Sequence, residues 1–186
     1  MIKKIILVLM SLFLVWQSYS ILSVIDKIEI NSWWFTIILA FVINLFITGI
    51  FAFLGFALPT QELISNSYYK VSNPKRLKKT YTFLKVAIFR KFLLTTFWRS
   101  KKQQRKYFNG TLEGITTLEV QSKKSEFGHL IPFVVIIAIS IYFIILGLIT
   151  LAIITVAINI IGNLYPIILQ RHHRMRIQIL RKRMHA

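Results

Sequence analysis

The chain contains no cysteine, which excludes disulfides, thiolate catalysis and cysteine-ligated metal. Acidic residues are scarce: six Asp and Glu stand against 24 Lys and Arg, for a formal charge of +18. Charge of either sign is missing altogether from Leu130 to Leu169. As one helix that run would be about 60 Å long at ~1.5 Å per residue, roughly twice the ~30 Å hydrocarbon core of a bilayer. Two spans joined by a tight turn fit better, and Gly147 to Thr150 is the segment that signals the turn. No ordinary soluble domain carries such a run, so the chain reads as a membrane protein. Its mean hydropathy of +0.62 and 55% hydrophobic content agree.

Ile5 to Ile25 is a second charge-free segment, preceded by Lys3 and Lys4, and Ile30 to Gln61 is a third, opening with the interface-type pair Trp33 and Trp34. Ser18 and Ser20 have the spacing of a signal-peptide cleavage site, but an uncleaved helix is the preferred reading. The expectation is an all-α membrane protein of about four transmembrane helices, near 5–25, 33–58, 130–147 and 150–169. Residues 1–186 then form a single membrane domain with a cytoplasmic segment over 62–129 and a basic tail over 171–186. With both termini in the cytoplasm, every Lys and Arg except Lys27 lies inside. A single span after Leu130 would instead expel Arg171, Arg174, Arg176, Arg181, Lys182 and Arg183, against the positive-inside tendency. The expected location is the bacterial cytoplasmic membrane.

In a soluble chain this basicity would suggest nucleic acid; here the cations flank apolar segments, and lipid is the expected partner. Between Pro74 and Lys106, Leu77, Tyr81, Leu84, Ile88, Phe92 and Phe97 recur mostly every three or four residues among Lys78, Lys79, Lys85, Arg90, Lys91 and Arg99. This is the pattern of basic amphipathic helices lying on anionic headgroups. Lys101, Lys102, Arg105 and Lys106 extend it. Asn73-Pro74 marks a helix entrance and Asn109-Gly110 a turn. The sequon Asn109-Gly110-Thr111 would go unused on the cytoplasmic side.

Two polar clusters are candidates for chemistry. Glu119, Ser122, Glu126 and His129 follow spacings of three, four and three, so a helix would carry them as one stripe. His129 is a candidate general base, with Glu126 one turn back to orient its ring. A metal site on this carboxylate and imidazole lacks an evident third ligand. Asn159 and Asn163 lie one turn apart, followed by Tyr165, Pro166, Gln170 and Arg171. Pro166 cannot donate to the Gly162 carbonyl, and a kink there is expected to turn Asn163 towards Gln170. The amides would serve as donors to an oxyanion and Arg171 would hold a phosphate. The plainer reading has the asparagines joining helices and Arg171 reaching headgroups.

The run Ser125-Glu126-Phe127-Gly128-His129, followed after a span by Asn163-Leu164-Tyr165-Pro166 and Gln170-Arg171-His172-His173-Arg174-Met175-Arg176, resembles the glycosyl-4,4'-diaponeurosporenoate acyltransferase family of small bacterial membrane proteins. The likeness extends loosely from about Phe97 to the C-terminus. It implies transfer of a fatty acyl group to a sugar hydroxyl of a glycosylated carotenoid, or of a related glycolipid, from an acyl thioester carried by coenzyme A or an acyl carrier protein. No bound cofactor is expected. On this reading His129 and Glu126 carry the chemistry, and Asn163, Gln170, Arg171 and Arg174 bind substrate. The alternatives are a non-catalytic membrane assembly or lipid-binding protein, and a carrier or channel component, which is disfavoured because the spans hold no acidic residue.

Overall fold

The computed structural model describes residues 2–28, 32–96 and 112–184, all helical apart from turns and short connections. The expected positions at Phe97 to Thr111, including Lys101, Lys102, Arg105, Lys106 and the Asn109-Gly110 turn, lie outside the described residues. In chain order the helices are α1 (Ile2–Leu22), α2 (Trp33–Ala57), α3 (Asn66–Tyr69), α4 (Pro74–Phe83), α5 (Val86–Thr96), α6 (Leu112–Ile145), α7 (Ile149–Asn159) and α8 (Tyr165–Met184). A 3-10 turn, Thr60–Glu62, follows α2, and a π-helical turn, Ile160–Leu164, joins α7 to α8. Four helical stretches, Ile2–Leu22, Trp33–Ala57, Glu113–Ile145 and Ile149–Lys182, are long and apolar enough to cross a membrane. The four-helix expectation therefore holds, with the third and fourth helices continuing well past their charge-free portions. The chain divides into two compact units, each drawn from separate stretches of sequence.

The first unit comprises Met1–Pro59 and Phe127–Leu164. Its core joins Leu39, Ile43 and Ile47 of α2 to Ile136 and Phe143 of α6 and Leu151 of α7. α1 lies close against α2: a Cβ on Gly49 would sit 2.7 Å from Leu14 Cδ1. Small residues permit such approach between apolar helices, where lipid offers no hydrophobic drive and packing must hold them. Ser11 Oγ donates to the Ile50 carbonyl across this contact at 3.1 Å. Asn44 Nδ2 similarly ties α2 to α7 through the Thr155 carbonyl at 3.2 Å. Large apolar side chains face outward, among them Leu9, Trp16, Ile38, Phe41 and Ile153. That surface would be a liability in water and suits acyl chains. The turn between α6 and α7 falls where glycine allows it. Gly147 has φ +79°, and Leu148 N–H closes back onto the Phe143 carbonyl at 2.8 Å.

The second unit comprises Thr60–Glu126 and Tyr165–Ala186. Asn73 caps α4 as its sequence suggests, its Oδ1 accepting from Arg76 N–H at 2.9 Å with Pro74 in the first helical turn. The described part of the amphipathic stretch, 74–96, is two helices, broken at Lys85, whose φ of 50° is left-handed. Both α4 and α5 pack against α8. Tyr81 stacks on His172 with ring centroids 4.1 Å apart, and Phe89 meets Tyr165 edge-on at 5.5 Å. Phe83, Ile88 and Phe92 remain exposed beside the lysines.

Candidate functional site

In the first unit His129, Asn163, Asn159 and Thr48 form one connected polar network. Pro166 has no N–H to give the Gly162 carbonyl, and the chain answers with the wider Ile160–Leu164 π turn rather than a simple break. That turn carries Asn163, which is buried. Asn163 Nδ2 donates to Thr48 Oγ1 at 3.0 Å and to Asn159 Oδ1 at 2.9 Å. Asn159 Nδ2 in turn donates to the Phe133 carbonyl at 3.0 Å. With both amide hydrogens engaged, Asn163 Oδ1 is an acceptor, and it lies 3.0 Å from His129 Nδ1. The Nδ1 atom therefore carries the proton, and the neutral ring keeps its lone pair on Nε2. Asn163 thus turns to His129, Thr48 and Asn159, the π turn carrying its side chain onto α6 and α2.

In the second unit the network is ionic. Glu126 is fully buried, and its two carboxylate oxygens take Arg171 Nε at 3.0 Å and Arg174 Nη2. Both oxygens of Glu126, the carboxylate expected to orient the His129 ring, are thus engaged by guanidinium groups. Two guanidinium groups three residues apart on α8 share one helix face, and a buried carboxylate gains far more from them than from a neutral imidazole. Arg174, 1% exposed, also donates to the Tyr69 carbonyl at 3.2 Å and to Ser122 Oγ at 3.2 Å. Arg171 Nη2 donates to the Tyr68 carbonyl at 3.0 Å, and its guanidinium lies over the Tyr68 ring. The Gln170 carbonyl accepts from Ser122 Oγ at 3.1 Å. Burial raises the Tyr69 phenol above its ordinary value, with the Arg174 charge opposing. Further along the stripe, Glu119 pairs with Lys123 at 3.3 Å and with Arg181 at 2.9 Å.

Of the six candidate residues, His129 and Asn163 meet in one unit and Glu126, Arg171 and Arg174 meet in the other. Thr48, Asn159, Ser122, Tyr68 and Tyr69 complete the two networks. Thr48 went unread among the candidates, although Asn44 and Thr48 share one face of an otherwise apolar span, and polar groups so placed need partners.

No curated protein and no solved structure matches the chain. The model of one protein family, described as glycosyl-4,4'-diaponeurosporenoate acyltransferase, matches residues 65–183. The match begins further upstream than the motif-bearing region and takes in α3, α4 and α5 as well as α6, α7 and α8. It therefore covers His129, Asn163 and the whole ionic cluster and leaves α1, α2 and Thr48 outside. With well over half its length matched, the chain belongs to the glycosyl-4,4'-diaponeurosporenoate acyltransferase family.

Proposed function

We propose that the protein moves a fatty acyl group from a thioester donor to a sugar hydroxyl of a glycosylated carotenoid or related glycolipid, with His129 as general base. The observation that carries this reading is the bond from His129 Nδ1 to Asn163 Oδ1, which leaves Nε2 as the proton acceptor. Nε2 takes the proton of the sugar hydroxyl as its oxygen attacks the thioester carbon. The tetrahedral intermediate then collapses, the carbon–sulfur bond breaks, and the departing sulfur takes up the proton from Nε2. Asn163 positions the base, and Thr48 and Asn159 hold Asn163. Gln170 and Arg171 are assigned to substrate binding, Arg171 because its side chain is 33% exposed. Arg174 is buried and is assigned to fixing the carboxylate that holds Arg171.

The proposed topology has both termini and the segment from Glu62 to His129 in the cytoplasm, where acyl thioesters are made, and membrane lipid as the surrounding partner. Because the native chain is free of cysteine, single cysteines report sidedness without background. A Lys27→Cys variant should label from outside sealed cells and Lys79→Cys should not. For the reaction, membranes bearing His129→Ala at wild-type abundance should no longer form the acylated glycolipid by mass spectrometry. Full acylation by that variant would remove the assigned base.

A further inference from the structure

A group of cations in the second unit is left unused by the mechanism above. Tyr81 of α4 and His172 of α8 stack nearly parallel, with an interplanar angle of 18°. Lys78 lies three residues before Tyr81 on α4, and Arg176 lies four residues after His172 on α8, so helical spacing sets both beside the stack. Arg90 of α5 adjoins Phe89, whose ring is held against Tyr165 of α8. Arg176, Arg90 and Lys78 all act electrostatically on His172, and Arg90 and Arg176 act on His173 as well.

Three helices thus bring three exposed cations around two half-buried imidazoles. Among the described residues no carboxylate forms an ion pair with Lys78, Arg90 or Arg176. Among the described residues Glu126 is taken by Arg171 and Arg174, Glu119 by Lys123 and Arg181, and Glu62 accepts from Gln61. Like charges gathered without a counter-charge repel one another, and an anion bridging them removes that repulsion while gaining charge-assisted hydrogen bonds. The guanidinium groups suit phosphate oxygens in particular. Arg171, the cation assigned to anion binding from sequence, and Arg174 both pair with Glu126 and are not part of this group.

We propose that Lys78, Arg90 and Arg176, set about the Tyr81–His172 stack, form a binding site for a phosphate-bearing ligand. Two sources share this chemistry: the phosphorylated end of a soluble acyl thioester donor and the phosphate of a lipid headgroup. Assignment to the donor rests on the acyltransferase reading; the site itself does not.

The test uses the full chain in phosphatidylcholine nanodiscs. One arm measures equilibrium binding of coenzyme A, with inorganic pyrophosphate as competitor; the other measures phosphatidylglycerol retained through delipidation, by native mass spectrometry. The variant combining Lys78→Gln, Arg90→Gln and Arg176→Gln is compared with a control of equal charge, Lys75→Gln, Lys85→Gln and Lys182→Gln. Loss of even one charged hydrogen-bonding partner should weaken binding about tenfold or more, and the control should change it by less than about twofold. Weakened coenzyme A binding identifies the donor as the source, and weakened phosphatidylglycerol retention alone identifies the headgroup. Equal losses in variant and control, or none in either arm, overturn the site. Should the triple variant melt early, single Arg90→Gln, which removes one exposed side chain, carries the same comparison. Acyl transfer by the wild-type protein is assayed separately, so a failed acyltransferase reading leaves the binding result intact.

Discussion

The first unit joins an imidazole, two carboxamides and a hydroxyl in one network, whereas the second buries a carboxylate between two guanidinium groups. The two networks solve the cost of burying polar atoms differently. A charged group out of water must be paired on every side, so Glu126 and Arg174 are consumed by each other and by Ser122 and Tyr69. A neutral imidazole needs less: one bond through Nδ1 holds it and leaves Nε2 available. The ionic cluster is therefore suited to holding helices in register, and the amide network to presenting a reactive atom. This contrast gives Glu126 and His129 different partners even though they are three residues apart in sequence.

The largest expected effect breaks the contrast on the side of chemistry. His129→Ala should lower acyl transfer by about 10²- to 10⁴-fold while leaving the melting behaviour of the purified protein near wild type. Next is Glu126→Ala, which leaves Arg174 buried without its counter-charge and should cost about 3–5 kcal/mol of stability. Its readout is membrane abundance and thermal unfolding, and pairing it with Arg174→Met should restore part of the loss. Retained abundance in Glu126→Ala with activity gone would return the carboxylate to a role in catalysis. Asn163→Leu should cost less stability, about 0.6 to 2 kcal/mol for a polar contact between apolar helices. It should also shift the pH–rate profile, since the ring loses the partner that places its proton. Asn73→Ala tests the second unit away from its ions: removing the cap on α4 should cost about 1 kcal/mol, read by thermal unfolding with acyl transfer unchanged below the melt.

Some of the architecture was legible because its causes are local. The charge-free run to Leu169 required a turn near its middle, and Gly147 supplies the positive φ at that place. Asn73-Pro74 starts a helix for reasons carried within four residues. The described part of the amphipathic segment, 74–96, is helical, and its division at Lys85 is marked by no glycine or proline. Pro166 was read as a disturbance; its form, a π turn, depends on what the freed carbonyl and Asn163 find nearby. The family motif picked out residues of both networks, and the family match extends beyond the motif to residue 65.

What the sequence by itself determined is therefore the solvent, the number of spans, the helix starts and turns, and the family, because hydrophobic run length, capping and turn chemistry act between near neighbours. Which polar groups meet was decided only by the tertiary structure. Thr48 and Asn163 are 115 residues apart, and Glu126 and Arg174 are 48 apart. Whether such pairs touch depends on the rotation of each helix about its axis and on the extra residue of a π turn. In apolar surroundings hydropathy barely constrains that rotation; the need of each buried donor and acceptor for a partner settles it.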